Sequence, residues 1–531
     1  MREMSSNQLG KRRERHPLTK EAKIVEEDEK SVLHELSERL SKTLDEQREE
    51  ARDKRHGRGY RTARENLQDI ADPDSFVEYG QLAVAAQRNR REYEELQKST
   101  AADGIITGLC TINSELVGAD LAKAIVIIND YSVLAGTQGF FHHKKLDRMC
   151  DLAERLALPV IMYTEGGGGR PGDTDVTTHI AGLNVLSFTN WARLSGKVPR
   201  IAINNGFCFA GNAALFGCAD FKIATRDSWI GMAGPAMIEG GGLGKFEPTE
   251  IGPAEMQENN GVIDILAENE TQATQLAKQL LSYFQGSIDS WSVADQTTLR
   301  DIIPKDRRWA YSVRDVIRTI SDEGSFLELR RIYGRNIITG FIRIEGRPVA
   351  LIANDCQQMG GAVDAVSAEK AAQFLTVCSA FKLPVVSLTD TPGFMVGPDS
   401  EEEGAVRRMA SLFIAGAALS SPVVAIFLRK GYGLGAMAMV GGSFLDPVYS
   451  AAWPTGEFGA MGLEGAVKLG FKKELDSEKD PQKRAELFEK LVTQSYDAGK
   501  ATEMASHLEI DAVIDPAMTR EFIVKALHAI K

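Results

Sequence analysis

The sequence predicts an α/β layered protein made of two copies of one domain, and three observations carry that expectation. Short matches recur in the same order, offset by about 225–250 residues: Asp72-Pro-Asp-Ser-Phe-Val-Glu78 with Asp322-Glu-Gly-Ser-Phe-Leu-Glu328, Ile105-Ile-Thr-Gly108 with Ile337-Ile-Thr-Gly340, Leu158-Pro-Val160 with Leu383-Pro-Val385, and Val262-Ile-Asp264 with Val513-Ile-Asp515. Within each copy, apolar β-type runs alternate with helix-like stretches. The chain has 531 residues, 43% hydrophobic and 26% charged, which suits a globular protein with a large core and more than one domain.

In the first copy the elements read as a strand at Ala124–Asn129, a helix at Lys144–Leu156, a buried strand at Pro159–Tyr163, a helix over about Thr177–Ser195 and a strand at Arg200–Asn204. The second copy follows suit with Val349–Ala353, Ser367–Ala380, Val385–Thr389, Ala405–Leu419 and Val423–Phe427. Ser282–Arg308 is polar and irregular and reads as the connection. The expected division is an N-terminal arm over 1–56, a first domain over 57–285 and a second over 300–531. In the arm, Val32, Leu33, Leu36, Leu40 and Leu44 recur at helical spacing, so Ile24–Arg55 reads as a charged amphipathic helix packed on the body or on a partner. Lys11–Arg15 reads as a basic extension rather than a targeting segment, and no apolar stretch there resembles a secretory signal.

Several functional classes are disfavoured. A net charge of −12 does not suit general nucleic-acid binding, although a local basic patch or helix N-termini still serve anionic ligands. No run approaches the ~18–20 apolar residues of a membrane span. The six cysteines form no C-x-x-C pair, so a reducing, cytoplasmic setting is expected, with no zinc ribbon. His142 and His143 are adjacent and lack the spacing of a two-histidine metal site; no metal is expected. Neither a Walker A sequence nor a Gly-x-Ser-x-Gly elbow occurs.

Glycine-bearing turns between a strand and a helix carry the chemistry. The first copy has Thr164-Glu-Gly-Gly-Gly-Gly-Arg170 and Asn204-Asn-Gly-Phe-Cys-Phe-Ala-Gly211; the second has Thr389-Asp-Thr-Pro-Gly-Phe394 and Leu428-Arg-Lys-Gly-Tyr-Gly-Leu-Gly-Ala436. Glycine lets backbone N–H groups approach a ligand, and a helix N-terminus adds the positive end of its dipole. Such turns suit a negative charge growing on a carbonyl oxygen. Glu239–Pro248 reads as a lid or binding loop, with a plain linker as the other reading.

These residues also carry a resemblance. Thr62-Ala-Arg-Glu-Asn-Leu, Asp103-Gly-Ile-Ile-Thr-Gly, Gly234-Pro-Ala, Val313-Arg-Asp-Val-Ile, Asp390-Thr-Pro-Gly-Phe, Leu428-Arg-Lys-Gly-Tyr-Gly, Ala452-Trp-Pro-Thr, Met461-Gly-x-Glu-Gly-Ala-Val and Val513-Ile-Asp-Pro make the chain, from about Gly57 onward, resemble the carboxyltransferase (β) subunit of biotin-dependent acyl-CoA carboxylases of the propionyl-CoA and methylcrotonyl-CoA type. The resemblance implies tandem crotonase/ClpP-like domains of ββα spirals. It implies that CO2 passes from carboxybiotin to the enolate of an acyl-CoA, with acyl-CoA held by the N-terminal copy and biotin by the C-terminal copy of a neighbouring subunit. A hexamer, a trimer of dimers, is implied too.

Carried over by position, the acyl-side oxyanion pair falls on Gly167 and Gly168, with Gly166 and Gly169 departing from the family's Ser-Gly-Gly-Ala-Arg. The biotin-side pair falls on Leu434 and Gly435; because Leu434 departs from the pattern, Gly433, Gly435 and Ala436 are all candidate donors. Lys145, in a family-like His142-x-x-Lys145 segment, and Arg170 are candidates for a CoA phosphate, with a solvated helix face as the other reading of Lys145. Lys370 is the second copy's equivalent. Arg429 and Lys430 are candidates for steadying the biotin oxygen; Met437 and Met439 suggest an apolar acyl or biotin pocket, or plain core packing. No Ala-Met-Lys-Met-like biotinylation site occurs, Ala436-Met-Ala-Met439 lacking the lysine, so biotin is expected on a separate partner carrying biotin carboxylase and biotin carrier domains. Two alternatives stay open: a biotin-dependent decarboxylase of the glutaconyl-CoA type, which would bring a membrane partner, and a non-catalytic CoA-binding subunit. A crotonase-type hydratase would need an acid over the thioester, for which Glu165 is the nearby candidate.

Overall fold

Apolar runs with near-continuous burial make parallel strands covered on both faces, and both copies form them. The computed structural model describes residues 31–177 and 182–529. The basic Lys11–Arg15 cluster and the beginning of the Ile24–Arg55 segment lie outside the described residues.

The first half contributes β1 (Val77–Glu78), β2 (Ile105–Thr111), β3 (Lys123–Asn129), β4 (Val160–Tyr163), β5 (Arg200–Asn204), β6 (Phe207–Phe209), β7 (Phe221–Thr225), β8 (Trp229–Gly231) and β9 (Ile265–Ala267). Its sheet runs β1-β2-β3-β4-β5-β7-β9, with β6 and β8 paired separately. β1, β2 and β3 are antiparallel neighbours; from β3 onward the sheet is parallel. The second half contributes β10 (Leu327–Leu329), β11 (Ile337–Ile344), β12 (Arg347–Asn354), β13 (Val385–Thr391), β14 (Val423–Tyr432), β15 (Tyr449–Ala452), β16 (Glu457–Gly459) and β17 (Ala512–Val513). Its order, β10-β11-β12-β13-β14-β15-β17, repeats the first. One difference is informative: the chain breaks at Asn205–Gly206 between β5 and β6, whereas β14 runs through the equivalent place unbroken and pairs with β16 at its end.

The duplication extends to ion pairs. Arg64 meets Glu78 at 2.6 Å, and Arg314 meets Glu328 at 2.6 Å. The Asp72 carboxylate accepts the N–H groups of Asn113 and Ser114, and that of Asp322 accepts those of Glu345 and Gly346. The halves share a core: Phe221, Tyr283, Phe284 and Phe374 surround Phe341 with ring centres 5.3–5.7 Å apart. Arg330 reaches across to Asp264 at 2.7 Å.

Two expected elements change. The arm is two helices, Val32–Ser41 and Glu49–His56, separated by a turn at Asp45–Gln47. The apolar face of the first is open, with Val32 79% and Leu33 65% exposed. Of the helix expected over about Thr177–Ser195, the described residues show Ser187–Arg193, and Gly182 has φ +65°, outside the helical region; 178–181 lie outside the described residues.

Candidate functional site

Each half places a buried carboxylate immediately before its glycine turn. In the first, Glu165, two residues past β4, takes a bidentate clasp from Arg55 of the arm, at 2.9 and 2.7 Å. Tyr60 and Tyr131 lie against the guanidinium, and Gly206 leaves room for the carboxylate, since a Cβ there would sit 2.3 Å from it. Burial pushes Glu165 up to about 7 while Arg55 opposes that shift. Its oxygens are thus committed inside the chain, which speaks against the hydratase alternative. In the second half, Asp390 is fully buried and binds Arg429 at 2.9 Å.

The Gly166–Gly169 turn is fastened through its amides. Gly166 donates to Phe207 O at 2.7 Å, Gly167 to Ala135 O at 3.0 Å and Gly168 to Asn212 Oδ1 at 2.9 Å. The amides of Gly167 and Gly168, expected to face the substrate, are therefore engaged within the chain. Asn212, fully buried in the first turn of the helix Gly211–Cys218, also donates from Nδ2 to Thr164 O at 3.2 Å. Its amide nitrogen lies 2.3 Å from where a Cβ of Gly166 would be, which explains the glycine in place of the family's serine. Sequence reasoning missed Asn212; its place directly after the Phe209-Ala-Gly211 turn was the only signal.

The cations proposed for CoA phosphate are corrected. Arg170 is held by Asp103 at 2.6 Å and Asp173 at 2.9 Å, with only 4% of its side chain exposed. Lys145 is buried, donating to Ala102 O at 3.0 Å and to Ile105 O, and burial lowers it to about 8. It is neither a phosphate clamp nor a solvated face. Lys370 repeats the arrangement against the carbonyls of Arg330, Gly334 and Ile337, lowered by burial to about 7. Next to Lys145 on the helix Phe140–Leu156, a 100° turn away, Lys144 is exposed and lines a cavity of about 760 Å³. That cavity opens beside Gly169 and is walled by Phe140, Val176, Val185 and Leu186.

On the second half, Gly433, Leu434, Gly435 and Ala436 form the first turn of the helix Gly433–Met439, whose leading amides lack intrahelical acceptors. A Cβ at Gly435 would lie 2.5 Å from the Gly393 carbonyl carbon, so this turn packs backbone to backbone on the Pro392–Gly393 turn. Leu434 points outward, 60% exposed. Met437 lines a cleft of about 660 Å³ with Gly431, Gly433, Phe444 and Phe458, whereas Met439 is core. Arg429 is spent on Asp390 and the carbonyls of Arg307 and Trp309, and Lys430 donates to Gly360 O at 2.6 Å, so the expectation that these cations face biotin is corrected as well. Glu239–Pro248 holds the end of a short helix and an exposed stretch with Leu243 76% exposed.

Among the described residues no cluster of ligating side chains could hold a metal, and no helix is long and apolar enough to cross a membrane.

The carboxyl transferase domain family matches residues 54–531. The 12S subunit of methylmalonyl-CoA carboxyltransferase from Propionibacterium freudenreichii subsp. shermanii is 33% identical over 491 residues, covering 90% of each chain. A solved transcarboxylase 12S structure, described as a hexamer assembly with methylmalonyl-coenzyme A bound, superposes with a TM-score of 0.82 at 31% identity, covering 94% of each chain. A solved single-chain, multi-domain long-chain acyl-CoA carboxylase superposes with a TM-score of 0.88 at 53% identity over 93% of this chain; the chain spans about half of it, 48%.

The architecture is thus a duplicated crotonase-like fold with a glycine turn in each half. The chain belongs to the carboxyl transferase family, as a carboxyltransferase of the biotin-dependent acyl-CoA carboxylase type.

Proposed function

We propose that the chain carboxylates long-chain acyl-CoA thioesters, with acyl-CoA at the Gly166–Gly169 turn and biotin at the Gly433–Ala436 turn of a neighbouring copy in a hexamer. The observation that carries the chain-length reading is the 53% identity to a long-chain enzyme, against 33% to the methylmalonyl-CoA relative. The apolar wall of Val176, Val185 and Leu186 beside Gly169 supports it, because each buried methylene of an acyl chain contributes about 0.8 kcal/mol.

When bound, biotin carried by a partner would supply the carboxyl group and a base for the acyl α-proton. The chain's own residues bind and orient. The cleft at Gly431, Gly433, Phe444 and Phe458 offers apolar side chains and glycine backbone that fit a neutral ring with one exposed oxygen acceptor. The amides opening the helix at Gly433 would face that oxygen. In the first half the thioester α-carbon loses its proton, the electron pair moves onto the thioester oxygen, and the resulting enolate carbon bonds to CO2. Charge appears on oxygens alone, so amide donors suffice and a side-chain base is not required.

Lys144 at the cavity rim is placed to meet a CoA phosphate. Lys144→Ala is expected to raise KM for acyl-CoA by about threefold, in line with the 0.2–1 kcal/mol of an exposed ion pair, at unchanged kcat; steady-state kinetics at two ionic strengths check it, since high salt should erase the difference. The chain-length reading is tested by assaying the enzyme with its biotin-carrying partner across acyl-CoAs from two to sixteen carbons. Higher kcat/KM for the longest chains is expected, and a preference for propionyl-CoA would refute it.

A further inference from the structure

We propose that Arg48 and Arg55 make the N-terminal arm a clamp that sets the glycine turn of the first half, acting as positioning residues for carboxyl transfer; the inference rests on that functional reading. The duplicated fold supplies the comparison. Asp130 follows Asn129 at the end of β3 as Asp355 follows Asn354 at the end of β12, and Glu165 follows Thr164 as Asp390 follows Thr389. The second copy pairs both carboxylates with arginines of its own domain: Arg314 binds Asp355 at 2.6 Å and Arg429 binds Asp390 at 2.9 Å. In the first copy both arginines come from the arm. Arg48 binds Asp130 at 2.7 Å and Ser132 Oγ at 2.8 Å, and Arg55 takes both oxygens of Glu165. Arg64, the counterpart of Arg314, turns both terminal nitrogens to Glu78 at 2.6 and 3.0 Å, which leaves Asp130 to the arm. The side chains of both pairs are at most 10% exposed.

The two arginines grip the turn from opposite sides. Beyond Asp130 the chain runs to Leu134 and Ala135, whose φ of +49° and +55° are left-handed, a conformation that persists only where neighbouring contacts impose it. Ala135 O accepts the Gly167 N–H at 3.0 Å, so this loop fixes the middle of the turn. On the other side, Glu165 is joined directly to Gly166. Its carboxylate is seated against Gly206, where a Cβ would fall 2.3 Å from it, and its carbonyl oxygen against Gly136, where a Cβ would fall 2.6 Å from it. The Gly166 N–H and C=O pair with Phe207 O and Phe209 N–H at 2.7 and 2.9 Å. Four successive glycines carry no side chain to hold them and have the widest choice of backbone conformation, so the shape of the turn depends on what flanks it. Arg48 holds one flank and Arg55 the other.

The test uses the full chain with its biotin-carrying partner and the variants Arg55→Met and Arg55→Met/Glu165→Met. Arg55→Met should lower kcat by about 10- to 100-fold, as when a reacting group is misplaced by up to about 1 Å, with KM for acyl-CoA changed by less than about threefold. The single variant also melts lower, because Glu165 is left buried and unpaired. The double variant should regain the melting temperature, since an apolar pair often replaces a buried ion pair at little cost, and should keep the low kcat, since the turn is still unclamped. A kcat that returns together with the melting temperature would make the pair purely structural and overturn the inference, as would a single variant with kcat within about threefold of wild type. Hydrogen exchange gives a readout free of turnover. The amides of Gly166, Gly167 and Gly168 should exchange faster in the double variant and in Arg48→Met than in wild type, while the second copy's Asp390–Phe394 stays unchanged; equal protection would also overturn the inference. A wild-type enzyme whose turn depends on the arm in this way, but which carboxylates no acyl-CoA, would instead sink the functional reading.

Discussion

Asp390→Ala is expected to destabilise the protein by about 3–5 kcal/mol, the cost of removing one member of a buried ion pair. Asp390 has no exposed surface, and Arg429, 3% exposed, sits against it with Lys430 at 3.6 Å. Its carboxylate also accepts the Lys430 N–H at 3.1 Å. Without Asp390, Arg429 keeps a buried charge met by the carbonyls of Arg307 and Trp309 and the face of the Tyr311 ring, with no counter-ion of its own. Urea unfolding gives the size of the effect. The double variant Asp390→Ala/Arg429→Met should recover most of the loss, since a well-packed apolar pair often replaces a buried ion pair at little cost. A double variant as unstable as the single one would show that the carboxylate acts through its backbone bonds instead.

Gly166→Ser should reduce turnover by about 100-fold, the penalty for misplacing a reacting group by around 1 Å. A Cβ at residue 166 would lie 2.3 Å from both Asn212 Nδ2 and Gly136 O, so the turn must move. Overpacking of this kind costs about 1–3 kcal/mol of stability, too little to unfold the chain. Shrinking the side-chain partner, in Gly166→Ser/Asn212→Gly, should relieve only part of the defect, because the Gly136 carbonyl is backbone and stays in place. Kinetics and thermal melts of the two variants check this. Full activity in the single variant would mean that the Asn212 contact does not set the turn.

Much of the architecture was legible because it is written in local patterns. Strands β3, β4 and β12 follow uninterrupted apolar runs, and the repeat announces itself in matched turn residues such as Asp72 and Asp322, whose carboxylates cap equivalent backbone amides. The site was legible only to the level of which turn. A lysine or arginine in a sequence does not declare its partner. Lys145 and Arg170 looked like phosphate ligands, but partners distant in sequence, the Ala102 carbonyl and Asp103, draw them inward. Choosing Lys144 over Lys145 requires the phase of the helix relative to the sheet, and that phase is set by packing. Which glycine amide is free depends on bonds from Ala135 and Asn212, again remote in sequence. The clasp on Glu165 comes from Arg55, 110 residues away.

Movement of a carboxyl group onto an acyl-CoA is read out by isotope transfer. The enzyme with its biotin-carrying partner, charged with ¹³C-carboxyl label and then given palmitoyl-CoA, should deliver that label to the α-carbon, seen as a labelled 2-carboxyacyl-CoA by mass spectrometry. Label that stays on biotin with every acyl-CoA offered, from a folded and assembled enzyme, would contradict the account.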